Sequence, residues 1–124
     1  MSHQAILIRG GRVIDPALER DEIADIAIVD GAIAERAPSS AFILEASGLI
    51  VCPGLMDLHV HLREPGQTHK ETIETGTVAA AEGGFTFVAC MPNTRPPIDN
   101  PDTVRLILDR ADEAGYCEVG PIAT

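Results

Sequence analysis

The sequence predicts an α/β protein: a small all-β subdomain over residues 1–53, then the opening units of a parallel β/α array over residues 54–124. Three observations predict it. Short apolar runs punctuated by turn signals fill the first segment. Strand-like runs then begin near Leu55, Thr86 and Cys117, each 31 residues after the last, which is the length of one strand–helix unit. Between them lie two stretches with helical spacing and helix-end signals. Such units build parallel sheets with right-handed crossovers, as an open doubly wound sheet or a closed barrel. Polar residues on the first strand favour a TIM-like (β/α)8 barrel, whose sites gather at the C-terminal ends of its strands. A full barrel takes about 250 residues. The barrel is therefore incomplete in this chain, which supplies roughly two and a half of the eight units.

In order, residues 5–8 read as a strand, Gly10-Gly11 as a turn, Val13-Ile14 as its continuation and Asp15-Pro16 as a second turn. Residues 26–29 and 32–35 flank Asp30-Gly31, a strong hairpin signal. Residues 42–44 and 49–51 are two more short strands. A subdomain of about 50 residues is small for independent stability, so partner strands from elsewhere are expected. Cys52-Pro53-Gly54 breaks the pattern before the central strand. After a loop at Glu64-Pro65-Gly66, Thr68-His69-Lys70-Glu71 fits a capping box for a helix reaching about Glu82, with Ile73, Val78 and Ala81 apolar and Gly83-Gly84 as its stop. His69 and Lys70 read as exposed first-turn residues. Residues 86–91 form the next strand. Asn100 caps a second helix with Pro101 at its first position; Val104, Ile107, Leu108 and Ala111 share a face, and Gly115 ends it.

The central strand carries the chemistry. Alternation along residues 55–63 puts Met56, Leu58, Val60 and Leu62 on one face and Asp57, His59, His61 and Arg63 on the other. The second set does not belong in an ordinary core, because buried polar groups are costly unless paired or bound. His59 and His61, two apart on a strand, project the same way and can converge on one metal ion; neutral imidazole suits zinc and its neighbours. The plainer reading, two histidines that merely sit in a strand, leaves Asp57 and Arg63 beside them without a role.

Composition narrows the classes. Apolar residues make up 45% and charged residues 23%, ordinary for a soluble globular protein. A net charge of −10 with no basic patch argues against nucleic acid as a partner. An anionic substrate would need local positive charge, which Arg63 and a metal could supply. Cys52, Cys90 and Cys117 are odd in number and widely spaced, so no disulfide framework is expected and the chain reads as cytoplasmic. Cys90, in an apolar strand, is expected to be buried and inert. No apolar run reaches the roughly 18 residues of a membrane helix, so no membrane partner is expected.

The stretch Pro53-Gly54-Leu55-Met56-Asp57-Leu58-His59-Val60-His61 resembles the first barrel strand of the amidohydrolase superfamily. Extended to His59-Val60-His61-Leu62-Arg63-Glu64-Pro65-Gly66, with Met91-Pro92-Asn93-Thr94 one unit later, it resembles the long bacterial type of dihydroorotase, and the N-terminal strands resemble that family's small β-subdomain. The resemblance implies reversible interconversion of N-carbamoyl-L-aspartate and L-dihydroorotate in pyrimidine biosynthesis, with one or two zinc ions. It assigns His59 and His61 as metal ligands and Arg63 and Asn93 as holders of the substrate carboxylate. It places the remaining ligands and the catalytic base beyond Thr124, so the chain carries half a site, as a truncated or cleaved form of a longer enzyme would, and is expected to be inactive alone. A homo-oligomer, and association with aspartate carbamoyltransferase, are its expected partners beyond the small substrate. Two rivals share the motif. Another cyclic-amide hydrolase (allantoinase, hydantoinase or dihydropyrimidinase) would act on a ring without that carboxylate, leaving Arg63 and Asn93 without their role. A non-catalytic dihydroorotase-like partner of the carbamoyltransferase would not need the intact histidines.

Overall fold

The computed structural model describes residues 5–124. The chain divides into two compact units, Met1–Pro53 and Gly54–Thr124.

The first unit is a single sheet. Strand β1 (Ile6–Asp15) pairs antiparallel with β2 (Arg20–Val29), and β2 pairs with β3 (Ala32–Ala34). On its other side β1 pairs in parallel with β4 (Phe42–Glu45) and β5 (Ile50–Val51). The Asp30-Gly31 hairpin forms as expected, with φ of +52° and +79°, the left-handed pair that a tight two-residue hairpin turn requires. Gly10-Gly11 is not a turn. It is a bulge inside one continuous strand: the register slips between Ile8 and Gly11, and the freed Gly10 N–H donates to Asp25 Oδ1 at 2.8 Å. Glycine serves here because a bulge needs left-handed backbone, and Gly10 has φ of +69°. Asp15 Oδ1 accepts from the Ala17 and Leu18 amides at 3.0 and 3.3 Å, closing a short 3-10 turn. Among the described residues of this unit, only Val13, Ala27 and Ala46 are buried apolar residues, while Ile23, Ile33, Phe42 and Ile50 are exposed. The ion pairs Arg9–Glu45 and Arg12–Asp21 lie on the surface, where such pairs contribute little.

The second unit is a three-stranded parallel sheet in the order β6 (Leu55–Val60), β7 (Phe85–Cys90), β8 (Glu118–Pro121), crossed by α1 (Ile73–Glu82) and α2 (Pro101–Ala114). Helix α2 matches its sequence signals: Asn100 Oδ1 accepts from the Thr103 amide at 3.0 Å, and Gly115 closes the helix with φ of +68°. Helix α1 starts later than its expected capping box. Thr72, not Thr68, is the N-cap: its Oγ1 accepts from the Thr75 amide at 3.1 Å and the Thr75 Oγ1 accepts from the Thr72 amide at 3.0 Å. Residues 67–70 instead form a turn, with Lys70 N–H donating to the Gln67 carbonyl at 2.9 Å. The Glu64 carboxylate also accepts from the Ile73 amide at 2.9 Å, satisfying a first-turn donor that would otherwise be free.

The core lies between sheet and helices: Leu62, Ile73, Val88, Cys90, Ile98, Ile107, Ala111 and Val119. The buried stripe of α1 runs through Ile73 and Thr77 with Ala80 packed alongside, rather than through Val78 and Ala81. Thr77 is tolerated because its Oγ1 donates to the Ile73 carbonyl at 2.7 Å. On α2, Leu108 is exposed and Thr103 takes its place in the buried face. Cys90 is fully buried, and burial pushes its thiol above the usual range, as expected of an inert cysteine.

Candidate metal and carboxylate site

The candidate residues gather at the C-terminal ends of β6 and β7, where a β/α barrel builds its sites. The His59 and His61 ring centres lie 5.3 Å apart with planes at 72°. Two imidazoles on one tetrahedral zinc, at Zn–N of about 2.0–2.1 Å, have ring centres roughly 5 Å apart. The observed ring separation is of the size that a shared ion would require. His61 Nδ1 lies 3.0 Å from Asn93 Oδ1. That oxygen can only accept, so Nδ1 carries the proton and Nε2 is left free as a ligand. Among the described residues, no group of three or more His, Cys, Asp or Glu side chains could hold a metal ion.

Strict alternation does not run through the whole motif. The pairing of β6 with β7 slips by one residue between Asp57 and Val60. There the Asp57 carboxylate turns to its own backbone, accepting the His59 amide at 3.0 Å. The strand ends at Val60, and Arg63 has φ of +62°, so Arg63 leaves on a left-handed turn rather than as the next residue of a strand face. Nor do the four apolar residues share one environment: Leu58 is 67% exposed and Leu62 only 3%. Leu62 seats against Gly76 of α1, where a Cβ would meet its Cδ2 at 2.5 Å.

Two loops carry Arg63 and Asn93, and they are tied together. The Arg95 amide donates to the Pro65 carbonyl at 3.0 Å, and Gln67 Nε2 donates to the Asn93 carbonyl at 3.2 Å. Gly66, at φ of +92°, lies so close to Arg95 that a Cβ would overlap the Arg95 carbonyl oxygen. Gly66→Ala is therefore expected to cost more than the about 1–2 kcal/mol of left-handed backbone alone. The check is a lower urea midpoint together with weakened substrate binding. The loop expected at Glu64 forms, and its carboxylate ties that loop to α1. Lys70 and His69 are exposed as expected, but in the turn before α1 rather than in its first turn, and Lys70 Nζ donates to Gln67 Oε1 at 3.0 Å. Gln67 was missed, because a lone amide in a loop carries no spacing signal.

Comparison with solved structures places this three-stranded β/α unit, with its strand-end histidines, in the opening portion of hydantoinase-type amidohydrolase barrels. Among solved structures, the chain is similar to L-hydantoinase (dihydropyrimidinase) from Arthrobacter aurescens, with a TM-score of 0.85 and 23% identity over 98% of this chain and 28% of that one. It is also similar to D-hydantoinase from Bacillus sp. AR9, with a TM-score of 0.75 and 27% identity over 94% and 26%. Residues 48–124 match the dihydro-orotase-like family, and the chain belongs to that family. Its curated relatives include the dihydroorotase of Geobacter sulfurreducens, 52% identical over 124 residues, and that of Aquifex aeolicus, 46% identical over 123. Each match spans 96% of this chain but 29% of the relative's length.

Proposed function

We propose that the full-length protein is a zinc-dependent dihydroorotase of pyrimidine biosynthesis, closing N-carbamoyl-L-aspartate to L-dihydroorotate and reopening it. The observation that carries this reading is the His59–His61 pair, spaced for one ion and joined through His61 to Asn93. His59 and His61 would hold one or two zinc ions together with further ligands. The bound metal would lower the pKa of water and polarise the ring amide carbonyl. Asn93, its oxygen engaged by His61, presents its NH2 group to the substrate as a donor. Arg63 meets the substrate carboxylate with a planar fork suited to two parallel bonds.

Two of the solved structures that the chain resembles, at 26% and 27% identity, are D-hydantoinases, so a hydantoinase-type ring hydrolase is the nearest rival; the carboxylate separates the readings. A positively charged Arg63 and a donor amide on Asn93 have a purpose in dihydroorotate and none in a plain hydantoin or dihydrouracil ring. Intact histidines disfavour a purely structural partner of aspartate carbamoyltransferase. Assembly of the catalytic protein with itself or with that enzyme remains part of the proposal, as does a cytoplasmic location. No helix among the described residues is long and apolar enough to cross a membrane.

The test compares full-length protein with residues 1–124 alone, each supplied with zinc and assayed for ring opening. The full-length protein should turn over dihydroorotate, and far better than hydantoin. The isolated segment should be inactive and bind zinc weakly, because a catalytic zinc site takes three protein ligands. Preference for hydantoin would favour the second reading, and zinc-free, inert full-length protein the third.

A further inference from the structure

We infer that Gln67 is a positioning residue that sets the distance between Arg63 and Asn93, and so the grip on the substrate carboxylate; this rests on the dihydroorotase reading above. Gln67 is bonded to both residues at once. Its backbone N–H donates to the Arg63 carbonyl at 2.9 Å, closing the left-handed turn that carries Arg63. Its side-chain Nε2 donates to the Asn93 carbonyl at 3.2 Å, across to the loop after β7. The orientation of the amide is set from outside: Lys70 Nζ donates to Oε1 at 3.0 Å, which leaves Nε2 for Asn93. The Pro65–Arg95 bond and the close approach at Gly66 hold the two loops together nearby, so the Gln67 side chain acts on loops that are already docked.

The two bonds can be separated. Replacing the side chain leaves the backbone bond to Arg63 in place and removes only the tie to Asn93. Gln67→Met keeps the length and loses the donor. Gln67→Glu keeps the shape and sets a carboxylate oxygen against the Asn93 carbonyl oxygen, a repulsive pair.

The experiment measures kcat, KM for dihydroorotate, bound zinc and thermal midpoint for full-length wild type and both variants. A neutral hydrogen bond of ordinary strength converts to a roughly three- to tenfold rise in KM. Both variants should show that rise, Gln67→Glu the larger, with kcat and zinc content at the wild-type level and a fall in midpoint no larger than the loss of one hydrogen bond produces. An unchanged KM in both variants overturns the inference. So does a parallel loss of kcat, zinc and midpoint, which would mean that Gln67 only holds the fold together. Wild-type protein that binds zinc yet leaves dihydroorotate untouched overturns the dihydroorotase reading itself, a result visible before any variant is made.

Discussion

Replacing His61 with alanine in the full-length protein is expected to remove most of the bound zinc and nearly all turnover. The reason is geometric. His59 and His61 stand at the separation that one tetrahedral ion imposes, and either ring alone leaves the ion short of a ligand. A catalytic metal supplies several kcal/mol of transition-state stabilisation, so kcat/KM should fall by roughly 10³-fold or more. His59→Ala should do the same. Asn93→Ala is the informative contrast. It removes the acceptor that orients His61, and losing such an outer partner typically costs about 10–100-fold in metal affinity or activity. Zinc content by elemental analysis, read beside kcat and KM, separates the cases.

Arg63→Lys is the second large effect. Lysine keeps the charge but not the fork, and it brings one compact ammonium in place of two parallel donors. A hydrogen bond to a charged group is worth about 1.5–3 kcal/mol, so kcat/KM for dihydroorotate should fall roughly 10- to 150-fold. Zinc content should not change, because Arg63 is not a ligand. The backbone adds a condition: Arg63 sits at φ of +62°, and lysine must hold the same left-handed turn. The Gln67 amide on the Arg63 carbonyl is present in both and holds it there. Unchanged kinetics with dihydroorotate would rule out the carboxylate role.

The features legible in the sequence were those set by local chemistry. The strand–helix repeat, the Asp30-Gly31 hairpin and the Asn100-Pro101 helix start each depend on residues within a few positions of one another. So does the adjacency of His59 and His61. What was not legible depends on contacts across the chain. Thr68 fits a capping box in the sequence, yet the cap falls to Thr72, next to Ile73, whose amide is taken by Glu64 nine residues before it. Gly10-Gly11 looks like a turn, but the strand continues through it because Asp25 on β2 accepts the displaced amide. The face carrying Asp57 looked continuous until the slip against β7 broke it. Thr77 and Thr103 enter the core because each hydroxyl finds a nearby oxygen, which a count of apolar residues does not register. Gln67 joins two loops 26 residues apart, and nothing in its neighbours announces that bond.

Whether His59 and His61 hold the catalytic zinc is read from anomalous diffraction by crystals of the full-length protein, collected on both sides of the zinc absorption edge. The expected result is a peak about 2.0–2.1 Å from a ring nitrogen of both histidines, with Asn93 still on His61 Nδ1. A fully active enzyme whose zinc peak lies on other residues, or that shows no peak beside His59 and His61, would contradict it.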